Sequence, residues 1–367
     1  MSTAPRRPIA PALLALAAVL WTAWLHYTTW VGLQNGLIDR GILELLQHET
    51  PPFGTWSGRV HPPLYSVVLW AADSLSVPLA TAPERLLFVQ GGLSHVAVVL
   101  LVLGAAWRWL GPWPAAAAAW LLSFGTESMR PFEHYPISAV AATAAAVALL
   151  ALARGGGRRA IAITAGLGFL AFMLHLQPWF FFGPLLVGLW WWLPSRRVAL
   201  QWAGGAVFLA FMATTWPGLY RQLVDSGGGG GEPGTWTFGW MNGWLYLPLI
   251  FWPFLGRRGT ESWRGLGVGL VGYALVTFAL QLTQIADGQP YPSSLHYFAL
   301  VEPLACLAAI AALTLAWRGG GRLRVAGVLV AAVMTATQLW RWVDGMTWLW
   351  RQQSGMWHQA LQPWNWW

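Results

Sequence analysis

Long apolar runs alternate with short polar segments along almost the whole chain. Most runs approach the ~20 residues that a helix needs to cross the hydrocarbon core of a bilayer. Short groups of arginine lie between many of the runs. This pattern predicts an all-α, polytopic membrane protein that forms a single transmembrane domain over residues 1–367.

The apolar runs predict about eleven transmembrane helices when the charged segments between them are used for orientation. Arg6 and Arg7 place the start of the first helix on the inner side. This run is too long for the apolar core of a signal peptide and more runs follow, so we expect it to be retained. The predicted spans are residues 9–31, 84–109, 114–124, 137–153, 160–176, 180–193, 200–216, 243–255, 266–285, 297–317 and 325–342.

A polar stretch at residues 39–65 is the main departure from this pattern, and it lies in a predicted outer loop at 33–83. Residues 34–48 predict an amphipathic helix on the outer membrane surface. Residues 62–75 are apolar but short, so we expect a juxtamembrane helix whose first turn contains Pro62 and Pro63. If this segment crossed the membrane, the later arginine clusters would lie outside, against the positive-inside rule.

Two further segments stand apart from the spans. Residues 217–242 predict a second long outer loop, with a glycine run at 227–231. Because no strand and no Gly-Lys-Ser/Thr ending accompany the run, it does not match a phosphate-binding loop. A plain flexible linker and a mobile loop over an active site are the two interpretations. The tryptophan-rich residues 344–367 predict an interfacial segment on the outer leaflet.

Composition supports the membrane interpretation and excludes some functions. The chain is 56% hydrophobic and 9% charged, with a formal net charge of +8. Its arginines lie in clusters between apolar runs, which is typical of membrane orientation rather than of a nucleic-acid-binding face. The lone Cys306 lies inside an apolar run, so neither a disulfide framework nor a cysteine-based metal site is expected.

Candidate binding residues lie in the polar stretch and near later spans. Arg59 and His61 stand beside the Pro62-Pro63 turn, where a basic group would meet a lipid phosphate and arginine would bind it bidentately. The alternative for His61 is an ordinary helix-entry residue. His134 and His296 suit a metal or a phosphate, or are simply interfacial histidines. His26 and His95 lie within predicted spans, and we expect them to be structural.

A first span, an acidic outer loop and then His61-Pro62-Pro63-Leu64-Tyr65 resemble the C superfamily of integral-membrane glycosyltransferases (GT-C). The most similar branch is that of the aminoarabinose transferases and protein O-mannosyltransferases. Shorter stretches agree with this resemblance: Arg85-Leu86 with Trp107-Arg108-Trp109-Leu110-Gly111, His175-Leu176-Gln177-Pro178, and His296-Tyr297 with Glu302-Pro303-Leu304.

The resemblance implies an enzyme of the bacterial inner membrane and cell envelope, with its active site facing the periplasm. Such an enzyme transfers a sugar from a polyprenyl-phosphate donor to a lipid, glycan or protein acceptor. Asp39 would be the catalytic base, with Glu133 of the next outer loop beside it. Divalent Mg or Mn shared by the two carboxylates is one mechanism, and metal-free transfer is the other. The implied substrate-binding residues are Arg59, His61, Tyr65, His134, His296 and Tyr297.

The same residues also have plainer interpretations. Asp39 has no partner one helical turn away, which suits a general base but also a solvated surface charge. Glu133 is spaced for a salt bridge with Arg130, and Glu127 could replace it. Gln34-Asn35 stands where the resemblance implies an Asp-Glu pair. The alternative is therefore a non-catalytic relative that binds, flips or assembles lipid-linked sugars. A transporter is the more distant option, because no charge is predicted in mid-span.

Overall fold

The computed structural model describes residues 9–32, 92–125, 135–174, 178–214, 248, 250–251, 260–286 and 301–352. Within these residues the protein is all-helical and contains no strand. The helices are α1 (Ile9–Gly32), α2 (Ser94–Trp109), α3 (Pro112–Ser123), α4 (Tyr135–Ala153), α5 (Arg158–Leu174), α6 (Pro178–Trp192), α7 (Arg197–Thr214), α8 (Glu261–Ala286), α9 (Glu302–Gly319) and α10 (Gly321–Gln352).

Each of these helices coincides with a predicted apolar run, and most ends agree within a few residues. A clear difference is at α10, which continues to Gln352 as one helix instead of ending at residue 342. Asp344 and Gly345 do not interrupt it, since a single internal glycine costs a helix only about 1 kcal/mol. The predicted segments at 34–48, 62–75 and 217–242, most of the span at 243–255, and residues 353–367 lie outside the described part of the chain.

Helix α9 forms the centre of the bundle and contacts α2, α3, α4, α8 and α10. All of its first eleven residues are buried, on every face of the helix. Its sequence is apolar on every side, which is the pattern of a fully enclosed helix. Six of its buried residues are alanines (Ala305, Ala308, Ala309, Ala311, Ala312 and Ala316), which let the neighbouring backbones approach closely.

The most extensive helix pairing joins α6 and α8. Two glycines of α8 allow this close approach. A Cβ atom added at Gly269 would lie 2.8 Å from the Leu185 Cβ, and one added at Gly265 would lie 2.6 Å from Leu189 Cδ2. The two glycines are four residues apart and share one face of α8. This small-residue face is typical of helix packing in membranes, where close backbone approach replaces the hydrophobic driving force.

The outer surface of the described bundle is rich in apolar side chains. Leu13 on α1, Leu209 on α7 and Leu329 on α10 are more than half exposed. Among the residues that the structure describes, two segments, Ile9–His26 and Gly321–Trp340, are long and apolar enough to cross a membrane by length and composition. Shorter apolar helices run over Ser94–Trp109, Ile137–Ala153 and Phe181–Trp192. Exposed apolar side chains of this extent are unusual on a surface that faces water.

Arginine-bearing helix ends lie together at one end of the bundle. The Arg154 guanidinium lies 4.9 Å from the ring centre of Trp109 and 4.5 Å from that of Trp263, which joins the ends of α2 and α4 to the start of α8. Arg264 lies 5.1 Å from the Trp192 ring at the end of α6. Local burial lowers the pKa of Arg154 from its ordinary value, yet an arginine stays protonated in proteins. We name this region the arginine end; its other members are Arg197, Arg318 and Arg324.

Candidate functional site

A buried group of polar side chains lies near the opposite end of the bundle. It consists of His26 on α1, His95 on α2, Glu302 on α9 and Gln338 on α10, and we name it the polar cluster. These four side chains are at most 5% exposed. Glu302 stands sixteen residues before Arg318 on the same helix, so about 24 Å of helix separate the cluster from the arginine end.

The two histidines form one arm of the polar cluster. His26 Nε2 and His95 Nδ1 lie 2.7 Å apart, with the ring planes at 89°. His95 Nε2 lies 2.9 Å from the Leu122 carbonyl oxygen. Because a carbonyl only accepts, His95 Nε2 must carry a proton, and in the neutral ring Nδ1 is then the acceptor. The network therefore assigns a directed chain in which His26 Nε2–H donates to His95 and His95 Nε2–H donates to Leu122.

Gln338 and Glu302 form the other arm. Gln338 Nε2 donates to the Phe124 carbonyl at 3.1 Å and to Glu302 Oε1 at 3.2 Å. The other carboxylate oxygen lies beside Gly125, where an added Cβ would approach it to 3.2 Å. The carboxylate is thus held against the backbone that follows α3.

The cluster follows from the way α3 ends. The last carbonyls of a helix have no partner within it and need donors from elsewhere. Here the donors are a histidine of α2 and a glutamine of α10, so two other helices cap the end of α3. Glu302 is the first residue of α9, where the helix dipole favours a carboxylate. Pro303 follows it in the first turn, where a backbone N–H would have no acceptor within the helix, so the absence of that group from proline costs nothing. Pairing of this kind offsets the cost of placing polar groups among apolar helices.

The eight site residues predicted from the sequence lie outside the described part of the chain. Their segments nevertheless have known neighbours. Residues 33–91 connect α1 to α2, residues 126–134 connect α3 to α4, and residues 287–300 precede α9. Each segment adjoins a helix end that belongs to, or lies close to, the polar cluster. The eight residues are Asp39, Arg59, His61, Tyr65, Glu133, His134, His296 and Tyr297.

The metal site expected from Asp39 and Glu133 also concerns residues beyond the described ranges. Among the residues that the structure does describe, no three His, Cys, Asp or Glu side chains form a group able to hold a metal ion. The polar cluster itself contains two imidazoles already hydrogen-bonded in series and one carboxylate held by an amide. Its arrangement favours a proton-bearing hydrogen-bond network.

Sequence reasoning expected His26 and His95 to be structural and did not bring them together. They are 69 residues apart and meet because α1 packs on α2 and α3. One signal was present: both stand near the ends of the two helices that flank the polar stretch at 39–65. Glu302 entered only as part of a short motif, and Gln338 was not singled out. Cys306 is buried, as its apolar run predicted, with its Sγ 3.6 Å from the Ala118 carbonyl.

No family model matches this chain, and no curated protein matches it either. The resemblance to GT-C glycosyltransferases therefore rests on the short motifs described above.

Proposed function

We propose that this protein is a polytopic glycosyltransferase of the bacterial inner membrane that uses a polyprenyl-phosphate-linked sugar. One observation supports this most: the segments that contain the candidate catalytic and phosphate-binding residues adjoin the polar-cluster end of the bundle. The arginine end lies about 24 Å away along α9. By the positive-inside rule the arginine end faces the cytoplasm, so the candidate residues face the periplasm.

The span count belongs to the same proposal. About eleven spans follow if the segments outside the described residues cross as their hydropathy predicts. The described helices support this count because α2 and α9, which are both predicted to run from the outer side to the inner side, lie parallel in the bundle. Arg318 at the end of α9 donates to the Leu110 carbonyl just after α2, at 2.8 Å, while Glu302 and His95 lie near the opposite ends of the same two helices.

The proposed reaction is a single displacement. Asp39 removes the proton from an acceptor hydroxyl, and the acceptor oxygen attacks the anomeric carbon of the sugar. The bond between that carbon and the phosphate oxygen breaks, and polyprenyl phosphate leaves with the bonding electron pair. Arg59, His61 and His296 stabilise the charge on the leaving phosphate. The anomeric configuration is inverted.

A metal is not needed for this proton and electron balance. Carboxylates such as Asp39 and Glu133 are oxygen ligands of the kind that Mg or Mn prefers, and a bound ion would help to orient the acceptor and the phosphate. Tyr65, His134 and Tyr297 complete the proposed substrate-binding set. The proposed acceptor of the sugar is a lipid, a glycan or a protein, and no nucleic acid is involved.

The polar cluster has a supporting role in this proposal. It fixes the relative positions of α1, α2, α3, α9 and α10 at the end where the loops leave the bundle. Catalytic groups on loops need such a rigid base, because small displacements from the productive geometry reduce the rate strongly. The four side chains are accordingly positioning residues.

One observation favours a second function. Gln34-Asn35 stands where the GT-C resemblance implies an acidic pair. A chain that has lost its base would still bind lipid-linked sugars and could present, flip or pass them to another protein. The two functions share the donor and differ in the transfer step.

The test is a transfer assay with membranes that contain the full chain and a panel of labelled polyprenyl-phosphate sugars. We expect one donor to be consumed, and Asp39→Asn to abolish transfer while donor binding remains. Glu44→Gln, on the same predicted helix, is the matched control and should keep its activity. Donor binding without transfer by the unaltered chain would select the non-catalytic function. Full activity of the Asp39→Asn variant would remove Asp39 as the base.

A further inference from the structure

A cavity of about 530 Å³ lies between α3, α9 and α10, near the arginine end. Its walls are mostly apolar and include Leu121, Ile310, Leu313 and Met334. The volume is within the range of sites that bind small molecules and cofactors. It is separate from the polar cluster, and the proposed transfer reaction makes no use of it.

One cation lies on this otherwise uncharged lining. Arg318 is the single charged residue among the described residues that line the cavity, and none of those residues is acidic. Its Nη2 donates to the Leu110 carbonyl at 2.8 Å, which uses one of the five N–H donors of a guanidinium. The remaining fork is suited to a phosphate, which arginine binds bidentately.

Two tryptophans indicate how deep Arg318 lies in the proposed membrane. Trp113 is 60% exposed and Trp317 is 54% exposed, and both line the cavity. Exposed tryptophan rings favour the boundary between lipid headgroups and hydrocarbon. The cavity therefore combines an apolar slot at hydrocarbon depth with a phosphate-binding group at headgroup depth. Basic pockets between helices on the cytoplasmic side are typical sites for anionic lipid headgroups.

We infer that this cavity binds an anionic glycerophospholipid of the inner leaflet. One acyl chain occupies the apolar slot between α3, α9 and α10, and the phosphate contacts Arg318. The inference rests on the proposed membrane placement and not on the proposed sugar transfer. The lipid is distinct from the polyprenyl-phosphate donor, whose phosphate would bind at the opposite end of the bundle.

The experiment uses the full chain, purified from membranes in detergent, and measures lipid binding by native mass spectrometry. Phosphatidylglycerol and phosphatidylcholine with identical acyl chains are titrated separately. We expect phosphatidylglycerol to bind roughly fivefold more tightly, the effect of one arginine near an anionic headgroup. Glycerol 3-phosphate, which has the phosphate but no chain, should not bind measurably. Its binding at a similar affinity would indicate a free-phosphate site and overturn the lipid assignment.

Two pairs of variants locate the lipid. Arg318→Gln should reduce phosphatidylglycerol affinity roughly fivefold, whereas Arg322→Gln removes the same charge from a residue outside the lining and should have no effect. Ala117→Phe should fill the slot and weaken both lipids while Arg318 is kept. Ala332→Phe, on an exposed position of α10 outside the lining, is its control.

Three results would overturn the inference: equal affinity for the two lipids, equal losses in Arg318→Gln and Arg322→Gln, or unchanged binding in Ala117→Phe. If Ala117→Phe does not yield folded protein, Ala331→Phe fills the same cavity from α10. A chain that transfers no sugar but binds phosphatidylglycerol in this pattern would remove the proposed function and leave this inference intact.

Discussion

The two ends of the bundle hold their helices together in different ways. At the arginine end, Arg197 and Arg324 each contact a tryptophan seven residues earlier in the chain, whereas Arg154 and Arg318 link different helices. At the polar-cluster end, the hydrogen bonds join residues 69, 27, 214 and 36 positions apart. The first kind of contact is partly local and partly exposed. The second is buried and links α1, α2, α3, α9 and α10.

The two ends therefore contribute differently to the orientation of the helices and to their packing. Exposed cation–ring contacts contribute only about 0.5–1 kcal/mol each, and lipid headgroups or water can replace them. A buried donor or acceptor that loses its partner costs about 1–3 kcal/mol. In the proposed membrane placement, the arginine end determines which side of the membrane each helix end faces, while the polar cluster determines how the helices pack together.

The largest effect concerns orientation, because cysteine labelling from one side is close to all or none. In a chain whose buried Cys306 is replaced by alanine, we expect Gly157→Cys at the arginine end to react only from the cytoplasm. Cysteines introduced at Ser76 and Ser226, in the predicted outer loops, should react from the periplasm with a membrane-impermeant maleimide. Labelling of Ser76→Cys from the cytoplasm alone would mean that residues 62–75 cross, and the predicted orientation would be wrong from that point on.

The helix bounds were largely predictable, whereas the polar cluster was not. Apolar runs of nearly twenty residues fix where helices lie, since hydropathy acts locally along the chain. The ends of α2, α4 and α6 accordingly agree with prediction. Hydropathy carries no information on which helices become neighbours, so His26 and His95 looked like two isolated polar residues. Helix α10 continues to Gln352, beyond the predicted span at 325–342, because Asp344 does not end the helix.

The catalytic assignment shows a further limit of the same kind. Asp39, Arg59 and Glu133 were chosen from loop position and from resemblance, and their convergence is a matter of loop geometry that hydropathy does not determine. The helix ends that flank their segments are described, and they adjoin the polar cluster. The sequence pattern predicts only at which end of the bundle Asp39, Arg59 and Glu133 lie. The distances between the catalytic groups remain a prediction.

The second prediction tests packing at the polar cluster. His95→Leu leaves His26 Nε2 without its partner and removes one donor from the Leu122 carbonyl, which keeps the Gly125 N–H. We therefore expect a loss of about 1–3 kcal/mol in the free energy of unfolding. His26→Leu should cost less, because His95 keeps its bond to Leu122. The double variant replaces both imidazoles by apolar groups, and its loss should be smaller than the sum of the two. Thermal and denaturant unfolding of the purified protein in detergent would give the coupling energy.

A buried polar residue outside the cluster serves as control for the histidine variants. The Thr143 hydroxyl on α4 has no hydrogen-bond partner among the described residues. Thr143→Val should therefore be neutral or slightly stabilising, because it removes an unpaired polar group. Strict additivity of the two histidine substitutions would contradict the directed His26–His95 chain.

The smallest effect is expected from alanine substitutions at two glycines, one at each end of the bundle. A Cβ at Gly125 would lie 2.9 Å from the Leu122 carbonyl oxygen and 3.2 Å from Glu302 Oε2, both of which belong to the polar-cluster end. A Cβ at Gly157, near the arginine end, would meet nothing within 4 Å. Because the carboxylate of Glu302 is held by Gln338 and cannot withdraw freely, Gly125→Ala should destabilise by about 1–2 kcal/mol, in the lower range for overpacking. Gly157→Ala should change stability by no more than about 0.5 kcal/mol, as is usual for exposed sites.

Both variants are measured in one detergent and one denaturant series, so that only the difference between them matters. Combining Gly125→Ala with Gln338→Ala releases the carboxylate, and the glycine substitution should then cost less than it does alone. If Gly125→Ala and Gly157→Ala have equal effects, the two ends do not differ in packing, and the division between them fails.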